Sequence, residues 1–354
     1  MIIRSSKEDV QEYINSPALN QSKLKLLGIS AQAFQEVKDP EMFFEEKEHF
    51  IIGKGVDDFI TMGESYFEEN YYVSRFSKPS AVIMSIVQEL FANRSTDIWL
   101  DIPSDDILEI IVKHEYQPNW KPETKIKKIS EEGEMYWFEL RESEGKSILS
   151  IEQYSKIMSI ITQLITHEYT KELFVHDTHE DAYYQLPIYF EVEGVLCKAL
   201  LDMVIVNHET KEVIPYDIKT MGDYTKFFDY QSFKRRYDIQ AAWYTEGLYQ
   251  WMINNYPDYN LCTFRFIVAS TTQKCDPLLF ITTPDFLNAG MFGFEKEVLH
   301  FVGQDEVYAN SKYKGWKELL EQYKWHEENG WEHDYECFHT KGVFSLSSSF
   351  KREC

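Results

Sequence analysis

Between residues 183 and 220, short apolar runs are separated by polar turns, a strand pattern rather than a helical one. Leu186-Pro187-Ile188-Tyr189-Phe190-Glu191-Val192 turns at Glu193-Gly194 into Val195-Leu196-Cys197-Lys198-Ala199-Leu200-Leu201-Asp202. A second turn, Asn207-His208-Glu209-Thr210-Lys211-Glu212, leads into a run that ends Tyr216-Asp217-Ile218-Lys219. The segment predicts a three-stranded antiparallel meander. Placing Val206 opposite Val213 across the second turn sets the register, and counting back puts Asp202 directly opposite Asp217. Two like charges facing each other across a ladder are destabilising unless a cation lies between them. Lys219, two residues past Asp217, points to the same face. Two carboxylates and a lysine on one side of one hairpin suit a divalent metal with a cation beside a phosphate.

Elsewhere the apolar period is helical. Residues 1–38 read as polar helix, with Asn20 as N-cap before Leu24, Leu26 and Leu27. The start of that helix, with Ser22 and Lys23, is either a phosphate contact or a capped surface end. Residues 50–62 start another helix, with Gly53 and Gly55 allowing close backbone approach. Asp57 and Asp58 follow in its first turns, and one of the pair is expected to face inward. Val82 to Phe91 is amphipathic. Residues 100–150 read as the most irregular part, with exposed loops or short hairpins and with Lys125, Lys127 and Lys128 as a solvated face. Ser150 to Phe174 is a long helix with a buried stripe of Ile157, Ile160, Ile161, Leu164 and Ile165.

After the meander, 222–228 leave the sheet and one helix runs from Ser232 to about Met252. Arg236, Gln240 and Tyr244 are spaced by four and share a face of it. Lys234 and Arg235 oppose the helix dipole at its start, which suits a nearby anion. Strands at 263–270 and 278–283, helices at 284–303 and 311–327, and a polar, frayed end from Ser345 complete the chain. The expected organisation is an N-terminal helical region, 1–150, with an irregular insertion at about 92–150; a core, 151–341; and a tail, 342–354.

Composition narrows the partners. A net charge of −23 argues against a nonspecific basic nucleic-acid coat. It leaves room for an enzyme whose positive groups are confined to a cleft and whose carboxylates need a metal. Five scattered cysteines, Cys197, Cys262, Cys275, Cys337 and Cys354, form no CxxC pair. They suggest a reducing compartment and no zinc or iron–sulfur site. With no signal-peptide layout and no membrane-length apolar run, a cytoplasmic protein is expected.

In order, the chain offers Gly53-x-x-x-Asp57, Asp202, Asp217-Ile218-Lys219 and Gln240-x-x-x-Tyr244. This set resembles the PD-(D/E)XK nuclease superfamily, on its RecE-type and lambda-exonuclease-like branch. Ser16-Pro17-Ala18-Leu19-Asn20-Gln21-Ser22-Lys23-Leu24 is similar to that branch's opening helix. The run from Glu193 to Asp202 is similar to its sheet entry, and the run from Arg236 to Tyr244 to its last motif. Asp57 stands where His is usual, Asp217 where Glu is commoner, and about 92–150 has no counterpart. The resemblance implies an α/β, restriction-endonuclease-like core, a central mixed sheet flanked by helices. It implies Mg²⁺ or Mn²⁺ on Asp57, Asp202, Asp217 and the Ile218 carbonyl. Lys219 would act on the attacking water, with Gln240 and Tyr244 positioning the strand. Ser22, Lys234 and Arg236 would contact phosphate. It further implies a 5′-to-3′ deoxyribonuclease acting on DNA ends in phage-type recombination or DNA processing, a ring-shaped homo-oligomer and a single-strand annealing partner. An endonuclease with the same site, or a non-catalytic DNA-binding module on the same fold, are the alternatives.

Overall fold

Residues 180–221 fold as the expected meander, and the rest of the main sheet is laid on either side of it. In this computed structural model the residues described are 1–37, 47–76, 79–143, 145–222, 232–272, 275–302 and 305–343. The expected departure from the sheet at 223–228 and the tail from 344 lie outside them. Strands are β1 Ile2–Arg4, β2 Tyr71–Val73, β3 Ser147–Leu149, β4 Glu180–Val192, β5 Val195–Asn207, β6 Glu212–Met221, β7 Asn260–Leu261, β8 Arg265–Ser270, β9 Leu278–Ile281, β10 Phe294–Val302 and β11 Asp305–Tyr313. The main sheet has the order β1-β4-β5-β6-β8-β9, with β7 also on β6. β1 is parallel to β4 and β8 is parallel to β6, while β4 and β6 each run antiparallel to β5 between them. The fold is α/β with a mixed central sheet flanked by helices.

Local chemistry explains the meander. Glu193 and Gly194 both have positive φ, as a two-residue type I′ hairpin turn requires. At the next turn the Asn207 side-chain oxygen accepts from the N–H groups of Glu209 and Thr210. Val206 pairs with Val213, as the sequence register expects.

The parallel step from β6 to β8 carries the helix Tyr237–Asn255, whose residues from Asp238 to Tyr244 are all buried. A stretch buried on every side makes the first turns of this helix a core element. Trp243 packs on Phe190 and Trp316 and donates its indole N–H to the Lys198 carbonyl at 3.0 Å. The helix Lys47–Asp57 lies against β6, where a Cβ on Gly53 would stand 3.2 Å from the Thr220 hydroxyl.

Several expectations are corrected. The chain does not enter the core helix at Ser232: a short turn, Ser232–Lys234, is broken at Arg236, which sits in the left-handed region at φ 53°. Arg236 is therefore outside the helical period shared by Gln240 and Tyr244. The helix expected over 284–303 ends at Phe292, because Gly293 at φ 82° turns the chain into the β10–β11 ribbon. Tyr313 belongs to β11, and the last long helix is Trp316–Asn329. Ile165 is exposed, while its stripe-mates are buried.

The chain divides into two compact units, Met1–Met62 with Ile160–Cys354, and Gly63–Ser159, where the sequence places its boundary at 150. The second unit is not irregular. Ala81–Ala92, Ser104–Lys113 and the 21-residue Pro122–Glu142 are helices around a core that includes Ile86, Ile111, Ile129 and Trp137. The charged stretches are the outer face of the last of these, with Lys127 and Lys128 paired one turn on with Glu131 and Glu132. Lys125, expected on that solvated face, is buried.

Candidate active site

The β5–β6 ladder runs from Asn207–Glu212 to Met203–Tyr216, and the next opposed residues are Asp202 and Asp217. There the backbone pairing gives way, and the Ile218 N–H donates to the Asp202 carboxylate at 2.8 Å. Asp217 is 1% exposed. One of its oxygens accepts from the Gln240 amide at 2.6 Å; the other lies 2.6 Å from the Lys219 ammonium. Lys219 also stands 5.1 Å from the centre of the Tyr237 ring. The core helix therefore delivers Gln240 and Tyr237 to the face that carries Asp217 and Lys219.

Asp57 comes from the helix end rather than its first turns. It is the last residue of Lys47–Asp57, and Asp58–Met62 continues as a π-turn, a widening often found at functional sites. Asp58 is buried and paired with Lys54 at 3.1 Å. Asp57 instead receives the Gln185 amide on Oδ2 at 3.0 Å, while its Oδ1 is buried with no hydrogen-bond partner among the described residues.

The electrostatics are those of acids forced together. Burial pushes the Asp57 carboxyl up to about 7, reinforced by Asp58 and Asp217 and eased by Lys54 and Lys219. Burial, then Asp217 and Asp57, hold Asp202 well above the carboxylate range. Burial also raises Asp217, against the pull of Lys219 and Gln240. Burial works to depress the Lys219 ammonium, but Asp217, Tyr237 and Asp202 more than offset it and hold its pKa raised.

No three acidic, His or Cys side chains among the described residues are already gathered into a coordination group. The donor set nonetheless fits a hard divalent cation: Asp57, Asp202 and Asp217 offer oxygens, Asp57 Oδ1 is buried with no hydrogen-bond partner among the described residues, and a cation would offset the burial, and then the mutual repulsion, that raise the carboxyls.

The other expected residues are placed less centrally. Tyr244 packs its ring on Phe264 in the core. Arg236 is held by a forked ion pair with fully buried Asp238, at 2.9 and 3.0 Å. Lys234 is exposed. Ser22 is buried and accepts from Gln21. Three neighbours escaped the sequence reading: Gln185, Tyr237 and Lys25. The Lys25 ammonium donates to the Arg235 carbonyl at 3.2 Å, and its charge helps lower the Asp217 carboxyl. For Gln185 the signal was present: carrying the register of the Glu193-Gly194 turn back along β4 and β5 puts it opposite Asp202.

The family model described as a PDDEXK-like domain of unknown function (DUF3799) matches residues 22–307. The chain belongs to this family. The PDDEXK-like match contains Asp57, Gln185, Asp202, Asp217, Lys219 and Gln240. No curated protein matches the chain in sequence. Among solved structures, a candidate exonuclease from Eubacterium rectale is similar over 81% of this chain and 80% of its own, at 12% identity and a TM-score of 0.39. Among the described residues no helix of the PDDEXK-like protein is long and apolar enough to cross a membrane.

Proposed function

We propose that this PDDEXK-like protein is a metal-dependent deoxyribonuclease that hydrolyses DNA from its ends, 5′ to 3′. The observation that carries the reading is the opposition of Asp202 and Asp217 with the Lys219 ammonium 2.6 Å from Asp217 on the same face. Raised carboxyls gathered around one cation are the kind of perturbed groups that cluster at reactive sites.

Asp57, Asp202, Asp217 and the Ile218 carbonyl would hold Mg²⁺ or Mn²⁺, which supplies polarisation of the scissile phosphate and a more acidic water. Lys219 would orient the attacking water and balance the negative charge that builds on the phosphoryl oxygens as the new P–O bond forms and the ester bond to the sugar oxygen breaks. Gln240, by occupying one oxygen of Asp217, fixes which oxygen faces Lys219. The same reading carries the expected homo-oligomer and single-strand annealing partner.

The deciding assay gives the purified protein linear and closed circular duplex DNA with Mg²⁺ or Mn²⁺. Loss of linear DNA alone, abolished in Asp202→Ala, is the expected result. Cleavage of circles would make it an endonuclease, and intact DNA in every lane would leave a binding module.

A further inference from the structure

Gln185 is built unlike its neighbours. Tyr184 pairs with Met203 and Leu186 with Leu201, but between them Gln185 leaves the ladder in the left-handed region at φ 51°. That conformation is unfavourable for any residue with a side chain. It is kept at the position facing Asp202, in a side chain only 6% exposed. Strain of this kind persists where the surroundings over-determine it.

What holds it is a fork. The Gln185 amide donates to Asp57 Oδ2 at 3.0 Å and to the Thr61 hydroxyl at 3.1 Å. Thr61 in turn donates to the Asp57 carbonyl at 2.7 Å. From β1, Arg4 donates to the Ile60 and Thr61 carbonyls and lies over the ring of Tyr184, the residue before Gln185. The π-turn after Asp57 is thus fastened to the sheet at two points, and among the described residues only Gln185 donates to the carboxylate itself.

We infer that Gln185 is a positioning residue for Asp57. It ties Oδ2 to the sheet and leaves Oδ1 as the single oxygen offered to a divalent cation shared with Asp202 and Asp217. This rests on the metal-dependent reading of the site, and hydrogen-bond partners of ligating carboxylates commonly set metal affinity by 10- to 100-fold.

The test is Mn²⁺ binding to the full chain by calorimetry, without DNA, so that it does not depend on cleavage. Gln185→Asn tolerates the left-handed backbone but is one methylene too short to reach Asp57. Gln185→Gly removes the strain together with the side chain, and so keeps a folded variant available. Both are expected to bind Mn²⁺ about tenfold or more weakly with thermal unfolding close to wild type. In an Asp57→Ala background, Gln185→Asn is expected to add nothing, as for two residues acting through one contact. Wild-type affinity in both variants, additive losses in the double variant, or no Mn²⁺ binding by the wild-type chain would each overturn the inference. Normal Mn²⁺ binding with the expected variant losses, but no DNA cleavage, would uphold Gln185 and remove the nuclease reading alone.

Discussion

Asp202 accepts the backbone N–H of Ile218 at 2.8 Å, so the carboxylate takes a donor that continued ladder pairing would have used. The sheet opens at the residue where two acids must face each other, and the freed N–H helps hold the negative charge. Asp202→Asn keeps an oxygen for that N–H and removes the repulsion with Asp217. The variant is expected to fold with unchanged or slightly raised stability and to lose more than about a hundredfold in DNA cleavage, beyond the usual effect of an outer-shell partner. Far-UV circular dichroism and a nuclease time course on linear duplex check both halves.

Lys219 is the cation that makes the buried acids tolerable. Lys219→Met leaves Asp217 uncompensated, and losing one partner of a buried pair costs about 3–5 kcal/mol. Because the Asp217 carboxyl is already raised, protonation relieves the penalty in acid. Urea unfolding should therefore show a large loss at pH 8 and a smaller one at pH 5. A pH-independent loss would mean that the ammonium acts through packing alone.

The raised acids also fix a sign. Asp57 titrates near 7 in the fold, against about 4 for an unfolded aspartate. Between those values the native state holds more protons than the unfolded chain, so this group makes metal-free stability fall as pH rises from about 4 to 7 and then level off. Other acids contribute their own slopes, so the measure is the difference between wild type and Asp57→Asn. The variant should gain on wild type across that window. Mn²⁺ at pH 8 should stabilise wild type more than the variant.

Two basic residues proposed for phosphate separate by burial. Arg236 neutralises Asp238, which has no exposure, so Arg236→Met should cost about 3 kcal/mol or more in stability. Exposed Lys234 should behave otherwise: Lys234→Ala leaves unfolding unchanged and lowers the salt slope of DNA binding by about 1. Fluorescence anisotropy across a salt series distinguishes the two.

Much of the site was legible because strand register propagates from turns. The turn at 207–212 fixed Asp202 against Asp217, and period-2 alternation put Lys219 beside them; every step is local and repeats without drift. The turn at Glu193-Gly194 carries Gln185 to Asp202 by the same logic, though Gln185 escaped the sequence reading. The helical insertion was misread for the opposite reason. Its charged runs are the solvent face of a long helix, whose sparse apolar positions, Ile129, Tyr136 and Trp137, acquire meaning only against Ile86 and Ile111 from other helices.

The sequence by itself therefore determined the meander, its register and the meeting of two carboxylates with a lysine. Only the tertiary structure decided that Asp57 rather than Asp58 receives the sheet's hydrogen bond, since that depends on a helix widening to a π-turn and on a glutamine 128 positions away. It alone engaged Arg236 with Asp238, through a left-handed residue that no periodicity announces. Short-range hydrogen bonding sets what a turn can count out, whereas the phase of a helix end and the partner of a buried charge are set by packing between segments remote in the chain.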